Sequence, residues 1–150
     1  MFRISLASCR AAALAGFAFC GAAHAGSFTV VDDRAPVEVS EVSRLYIDGN
    51  LAATFRLDPN TPTQSRVVQT PMGRVNHDYA LCGEITIQTP DGRHETHQVS
   101  SEGILNHPDG HTLQAIGAAD FTDFYLTDPD DPTIAEHHPG RSGACISPSV

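Results

Sequence analysis

The chain contains no lysine and no tryptophan; all nine of its basic residues are arginines, set against 18 aspartates and glutamates. So acidic a balance argues against nucleic acid and anionic membrane surfaces as partners, because both repel a surface of this sign. Cysteine is scarce, with four in 150 residues, and no two stand at a CxxC spacing. That removes the usual signature of a zinc ribbon or a dithiol redox centre. The aromatics are only seven Phe and three Tyr, most of them inside apolar strand patterns, which disfavours a stacking platform for sugars. The sequence has neither a GxSxG elbow nor a phosphate-cradling glycine loop. Its longest apolar run is too short for a bilayer, which needs about 20 apolar residues.

That run, Ala11 to Phe19, follows Arg3 and Arg10 and leads through small residues to Ala23, His24 and Ala25. A basic start, an apolar middle and an Ala-x-Ala end describe a secretory signal peptide over residues 1–25. Phe19 disfavours lipidation of Cys20, since such cleavage sites take a small residue there. The expected destination is periplasmic or secreted, with no membrane anchor. Residues 26–150 then form a single domain with a tail from about residue 128. Without Arg3 and Arg10, seven arginines face 18 acids, a formal charge of −11. Cys9 and Cys20 leave with the signal, so Cys82 and Cys145 are expected to form a disulfide in an oxidising compartment. Closing a loop of that length stabilises the fold by roughly 4 kcal/mol in the chain-entropy picture.

Two identical turns, Pro90-Asp91-Gly92 and Pro108-Asp109-Gly110, punctuate the stretch from Tyr79 to Ala118. Proline presets the first turn position, aspartate bonds its own backbone and glycine takes the left-handed residue. Extended runs around both turns predict a three-stranded antiparallel meander. A three-residue first turn sets Ile87 opposite Glu95 and Ile85 opposite His97. Leu81, Ile85, Ile87 and Val99 then share an apolar face, and Cys82 points away from it. A Cys82–Cys145 bond therefore requires the tail to cross the outer, polar face. In the third strand Leu105 and Leu113 pair, while Ile104 and Ile116 fall on the opposite parity; a bulge at Gly103 or Gly117 would repair this.

Upstream, Phe28 to Val31 reads as an edge strand. Val37, Val39, Leu45 and Ile47 are apolar at odd positions, and after Asp48-Gly49-Asn50 so are Leu51, Ala53, Phe55 and Leu57. A three-residue turn keeps both sets on one face, with Ile47 opposite Leu51 and Leu45 opposite Ala53. Ser65 to Thr70 is a further strand and Phe121 to Leu126 the last, leaving a loop-rich C-terminal tail. Short strands, frequent Gly and Pro turns and no long helical period beyond the signal indicate an all-β fold. The expectation is a small antiparallel β-sandwich, immunoglobulin-like or jelly-roll-like.

Histidine is the one unusual richness, with seven after residue 25. His107 and His111 flank the second Pro-Asp-Gly turn as its closing pair. Directly opposed strand residues have Cβ atoms about 5 Å apart, close enough for two imidazoles to hold Zn²⁺ or Cu²⁺ with Asp109 adding an oxygen. Two ligands on an exposed tip make a weak site. His137 and His138 join it only if the tail folds back. His94 and His97 point to opposite faces of a strand, and His94-Glu95-Thr96-His97 is one residue short of HExxH. Asp128, Asp130 and Asp131 begin like a calcium loop but lack its glycine and distal glutamate. Cleavage after Ala23 would expose His24 as an amino-terminal copper chelator.

The leading reading is an exported, non-catalytic binding or accessory protein acting by protein–protein contact, as a complex subunit or an inhibitor of a secreted enzyme. The alternative is a periplasmic copper- or zinc-binding protein using His107, Asp109, His111, His137 and His138, with Cu or Zn as its cofactor. A third class, a hydrolase with paired carboxylates, is open because 18 acids single out no pair. The intact mass of protein exported by a bacterial host is expected to correspond to a disulfide-bonded chain beginning at Gly26. A chain beginning at Met1 or His24 would overturn the assigned cleavage.

Overall fold

The computed structural model describes residues 24–118, 120–121, 123–139 and 145. Nine strands follow in order: β1 His24–Asp33, β2 Glu38–Ile47, β3 Asn50–Leu57, β4 Thr63–Pro71 and β5 Asn76–Gln88. Then come β6 His94–Asn106, β7 Thr112–Gly117, β8 Phe124–Thr127 and β9 Ala135–Pro139. No helix occurs among the described residues. The strands form a four-stranded sheet, β4-β1-β7-β8, and a five-stranded sheet, β3-β2-β5-β6-β9. The expected β-sandwich is therefore present. All its neighbours are antiparallel except β1 and β7, which run parallel.

The core follows from period-two alternation in both sheets. Phe28, Val30, Val68, Leu113, Ala115, Phe124 and Leu126 enter from the four-stranded sheet. Leu45, Phe55, Tyr79, Leu81, Ile85, Val99 and Leu105 enter from the five-stranded sheet. The sheet edges meet on both sides. On one side the Arg56 N–H donates to Gln64 Oε1 at 2.9 Å. On the other, His137 of β9 stacks on Tyr125 of β8 with ring centroids 4.0 Å apart.

Cys82, on the outward parity of β5, is bonded to Cys145 with Cα atoms 5.5 Å apart. This is the expected pairing, and it brings residue 145 to the outer face of the five-stranded sheet. The first Pro-Asp-Gly turn also closes as expected, with Ile87 opposite Glu95 and Ile85 opposite His97. Its backbone bonds close within the turn, Thr89 N–H to Arg93 O and Gly92 N–H to Thr89 O, both 2.8 Å.

The second Pro-Asp-Gly turn does not make a meander. Gly110 N–H donates to Ser27 O at 2.7 Å and Thr29 N–H to His111 O at 2.9 Å, so the turn is fastened to β1 in the other sheet. His107, in the left-handed region at φ 50°, precedes this crossing. Leu105 and Leu113 both reach the core but from opposite sheets. Their change of parity thus needs no bulge, and the β5–β6 register is unbroken through Gly103.

The turn after β2 also differs. Asp48 and Gly49 both have positive φ, 48° and 80°, as a two-residue type I′ hairpin requires. Ile47 pairs with Asn50 and Tyr46 with Leu51, and a bulge at Ala52 restores Leu45 to Ala53. Leu51 is left exposed. The tail is more ordered than its composition indicates: Ile134 is buried, and β9 adds an edge strand to β6.

Gly103 lies where β9 docks. A Cβ there would overlap the Glu136 carbonyl oxygen and sit 2.6 Å from Tyr79 Cε1. Gly103→Ala is expected to destabilise the domain by about 2 kcal/mol or more through this overpacking, measured by chemical denaturation. An unchanged midpoint would mean that β9 is not held against β6.

Candidate functional site

One end of the sandwich, where β1 finishes and β2 begins, is not filled by apolar side chains. On β1 the inward positions run Phe28, Val30, Asp32. On β2 they run Glu41, Ser43, Leu45, Ile47. Two strands from opposite sheets thus each bring an acid to the interior. Pro36 occupies the second position of the Ala35–Glu38 turn that joins them, closed by Glu38 N–H to Ala35 O at 3.0 Å.

A bulge then brings in a third acid. Glu38 pairs with Ile87 and Ser40 with Thr86, leaving Val39 as the extra residue. Residues three apart in a regular strand face opposite ways, yet Glu38 and Glu41 are both buried because the bulge re-aims one of them. The apolar parity read through Val37 and Val39 therefore breaks down here. Val37 is exposed and the acids point inward.

The acids are held by specific bonds. Ser43 Oγ donates to Asp32 Oδ2 at 2.7 Å across the two sheets. The Ala35 N–H donates to Glu38 Oε2 at 3.0 Å. Arg34 directs Nη1 to the Glu38 carbonyl oxygen instead of a carboxylate, and its Nε is buried without a partner. Glu41 Oε1 is likewise buried without a hydrogen-bond donor. Among the described residues, no ion pair neutralises any of the three carboxylates.

Burial pushes the Asp32, Glu38 and Glu41 carboxyls above their usual range, because the charged form loses its water. For Glu41 the neighbouring Asp32 charge adds to burial and the group is pushed up to about 9. Glu41 therefore holds the proton of the pair at neutral pH and directs it to the Asp32 carboxylate, whose ionised form the Ser43 and Glu41 hydrogen bonds favour.

These acids line a cavity of about 540 Å³ between the sheets. Ile85, Val99, Ala115, Phe121 and Phe124 form its apolar wall, and Asp33 and Asp123 also reach it. Phe121, at positive φ, stacks on His97 with centroids 4.5 Å apart. Volume and lining fit a small-molecule site, an apolar chamber with a few convergent polar groups. A second cavity of about 500 Å³ lies beside Tyr46, Asp78, Ala80, Glu102, Ile104 and His138.

The residues singled out from sequence for metal are not gathered there. His107 and His111 are not a closing pair, since the chain between them crosses from sheet to sheet. His111 Nδ1 lies 2.7 Å from Asp128 Oδ2, and Asp109 accepts a 2.8 Å bond from Thr70 Oγ1. His137 and His138, adjacent on β9, are directed differently. His137 Nε2 lies 3.2 Å from Asp123 Oδ2, and His138 lines the second cavity. Asp128 Oδ1 caps the N–H groups of Asp130 and Asp131, and Asp131 binds Thr133, so this acidic turn spends its oxygens on its own backbone. No group of three His, Cys, Asp or Glu in metal-binding arrangement occurs among the described residues. The first residues of the expected signal, up to residue 23, and Arg141 to Gly143 lie outside the described residues.

The acids that matter were missed in the sequence, although a signal existed. Glu41 and Ser43 interrupt the odd-position apolar run of β2, and Asp32 continues the parity of Phe28 and Val30. Polar residues at inward positions mark a place where burial is opposed. As a class, then, the molecule is a disulfide-linked β-sandwich with an acid-lined cavity between its sheets. No family model, curated protein or solved structure matches the chain.

The unfolded Glu41 titrates near 4.5 and the folded one near 9. Between those values the folded state carries the extra proton, so its contribution is full below about pH 4.5 and is lost as the pH rises to about 9. Glu41→Gln keeps a donor for Asp32 and removes this titration. At pH 8 the variant is expected to exceed the parent in stability by several kcal/mol, roughly 1.4 kcal/mol for each pH unit across that window, with the gap closing towards pH 5. Denaturant midpoints at the two pH values measure it; parallel profiles would remove Glu41 as the titrating group.

Proposed function

We propose that the domain is an exported, non-catalytic binding protein whose binding element is the cavity between the two sheets. The observation that carries this reading is the buried Glu41 Oε1, which has no hydrogen-bond partner and belongs to a side chain at the acidic end of a chamber whose far wall is apolar. An unsatisfied buried acceptor is costly, and a ligand that supplies a donor relieves that cost. The Ala-x-Ala end of the amino-terminal segment and the Cys82–Cys145 bond support export to the periplasm or the medium.

A protein partner, the leading expectation from the sequence, is the second reading here. It is favoured by the second cavity, where half-buried Tyr46 and exposed Ile104 flank a depression in the five-stranded sheet. A paired-carboxylate hydrolase reading would rest on the Asp32–Glu41 pair. The copper or zinc alternative has no cluster of described residues to rest on.

An uncharged apolar fluorophore such as N-phenyl-1-naphthylamine is expected to bind saturably at one site per chain. Ala115→Leu, which narrows the chamber, should weaken it at least tenfold, whereas Leu51→Ser on the outer surface should leave it unchanged. Equal binding by Ala115→Leu, in a protein of unaltered melting behaviour, would move the site away from this cavity.

A further inference from the structure

The cavity has a polar end dominated by carboxyl groups. Asp32 and Asp33 come from β1, Glu38 and Glu41 from β2, and Asp123 from the segment before β8. Against them stands Arg34, whose guanidinium is turned to the carbonyl oxygens of Ala35 and Glu38. His97 on β6 touches the site only through its stack on Phe121. Neither β5 nor β7 contributes a titratable side chain to the lining. The far wall is apolar, formed by Ile85, Val99, Ala115, Phe121 and Phe124.

An anionic ligand would meet uncompensated carboxylates in a place of low dielectric. A neutral apolar ligand would fill the chamber but leave Glu41 Oε1 without a donor. A protonated amine on an apolar body satisfies both ends: its N–H groups supply donors, its charge offsets the acids, and its hydrocarbon covers the wall. Three carboxyl groups match the three N–H donors of a primary ammonium head, so such a head fits better than a quaternary one, which has none.

We propose that the cavity binds a small primary amine, with its ammonium head among Asp32, Glu38 and Glu41 and its apolar body against Val99, Phe121 and Phe124. The proposal rests on the cavity being the binding site. Entry of the head exchanges one cation for another: Glu41 gives its proton to the buffer, and the resulting carboxylate accepts from the ammonium. Charge and protons balance in that exchange without any further reactant.

Three probes with one tail and different heads separate the possibilities: octylamine, octanol and octanoate, titrated calorimetrically into the full exported protein at pH 7. Octylamine is expected to bind at least tenfold more tightly than octanol, with octanoate weakest. In buffers of different ionisation enthalpy its binding should release close to one proton. In Glu41→Gln that release should vanish and the amine preference fall at least tenfold, while octanol binding persists as the control for an intact chamber. Equal affinity for all three heads, or a preference for octanoate, would overturn the amine assignment and leave the cavity as a binding site. No binding of any probe to a folded protein would overturn both.

Discussion

Two sheets packed face to face must make every inward position either apolar or hydrogen-bonded, and at one end of the sandwich the structure brings carboxyl groups inward. Asp32 and Glu41 enter from opposite sheets and meet where water is largely excluded. Two ionised carboxylates in such a place repel each other and are both desolvated, so one of them keeps its proton. Ser43 completes the arrangement by donating to Asp32 from the opposite sheet. The cavity follows from this pairing, because acids cannot close the end of the sandwich as tightly as leucine or phenylalanine side chains do elsewhere.

The opposite end of the molecule shows the same residue types used differently. Asp48 begins a tight turn and binds His77 Nδ1 at 2.7 Å, Arg74 Nη1 at 3.0 Å and the Asp78 N–H at 3.0 Å. Burial alone would raise its carboxyl, but these donors together hold it below the usual range. Asp128 stands likewise, with burial outweighed by the N–H groups of Asp130 and Asp131 and by His111. Asp48 and Asp128 are held ionised and pin loops, whereas among the described residues no ion pair reaches Asp32, Glu38 or Glu41. His77 and His111 are thus partners of these two turns.

Much of the fold was legible because its signals are local. Alternation in β5 and β6, the first Pro-Asp-Gly turn and two remaining cysteines lead directly to the observed register and to the Cys82–Cys145 bond. The same logic failed at the second Pro-Asp-Gly turn. Its three residues are identical to the first, but the Gly110 N–H bonds Ser27 of β1 and the Thr29 N–H of β1 bonds the His111 carbonyl oxygen. A turn sequence specifies a reversal of direction and says little about which sheet receives the chain. The proposed His107 and His111 pair rested on that missing information. The site itself was half legible, since Glu41 and Ser43 visibly interrupt an apolar parity, yet Glu38 faces inward only through a bulge that no local residue preference announces.

By itself, then, the sequence determined an all-β chain, its strand periods, the first Pro-Asp-Gly turn and the Cys82–Cys145 pair, because these depend on neighbours a few residues apart or on elimination. Only the tertiary structure decided which sheet takes β7, that the tail adds a ninth strand, and that Asp32 meets Glu41. Those outcomes depend on the packing of one whole face against another, where a bulged residue or a sheet crossing redirects side chains. Asp32 and Glu41 are ordinary acids in sequence, and they become a protonated pair because two faces close over them.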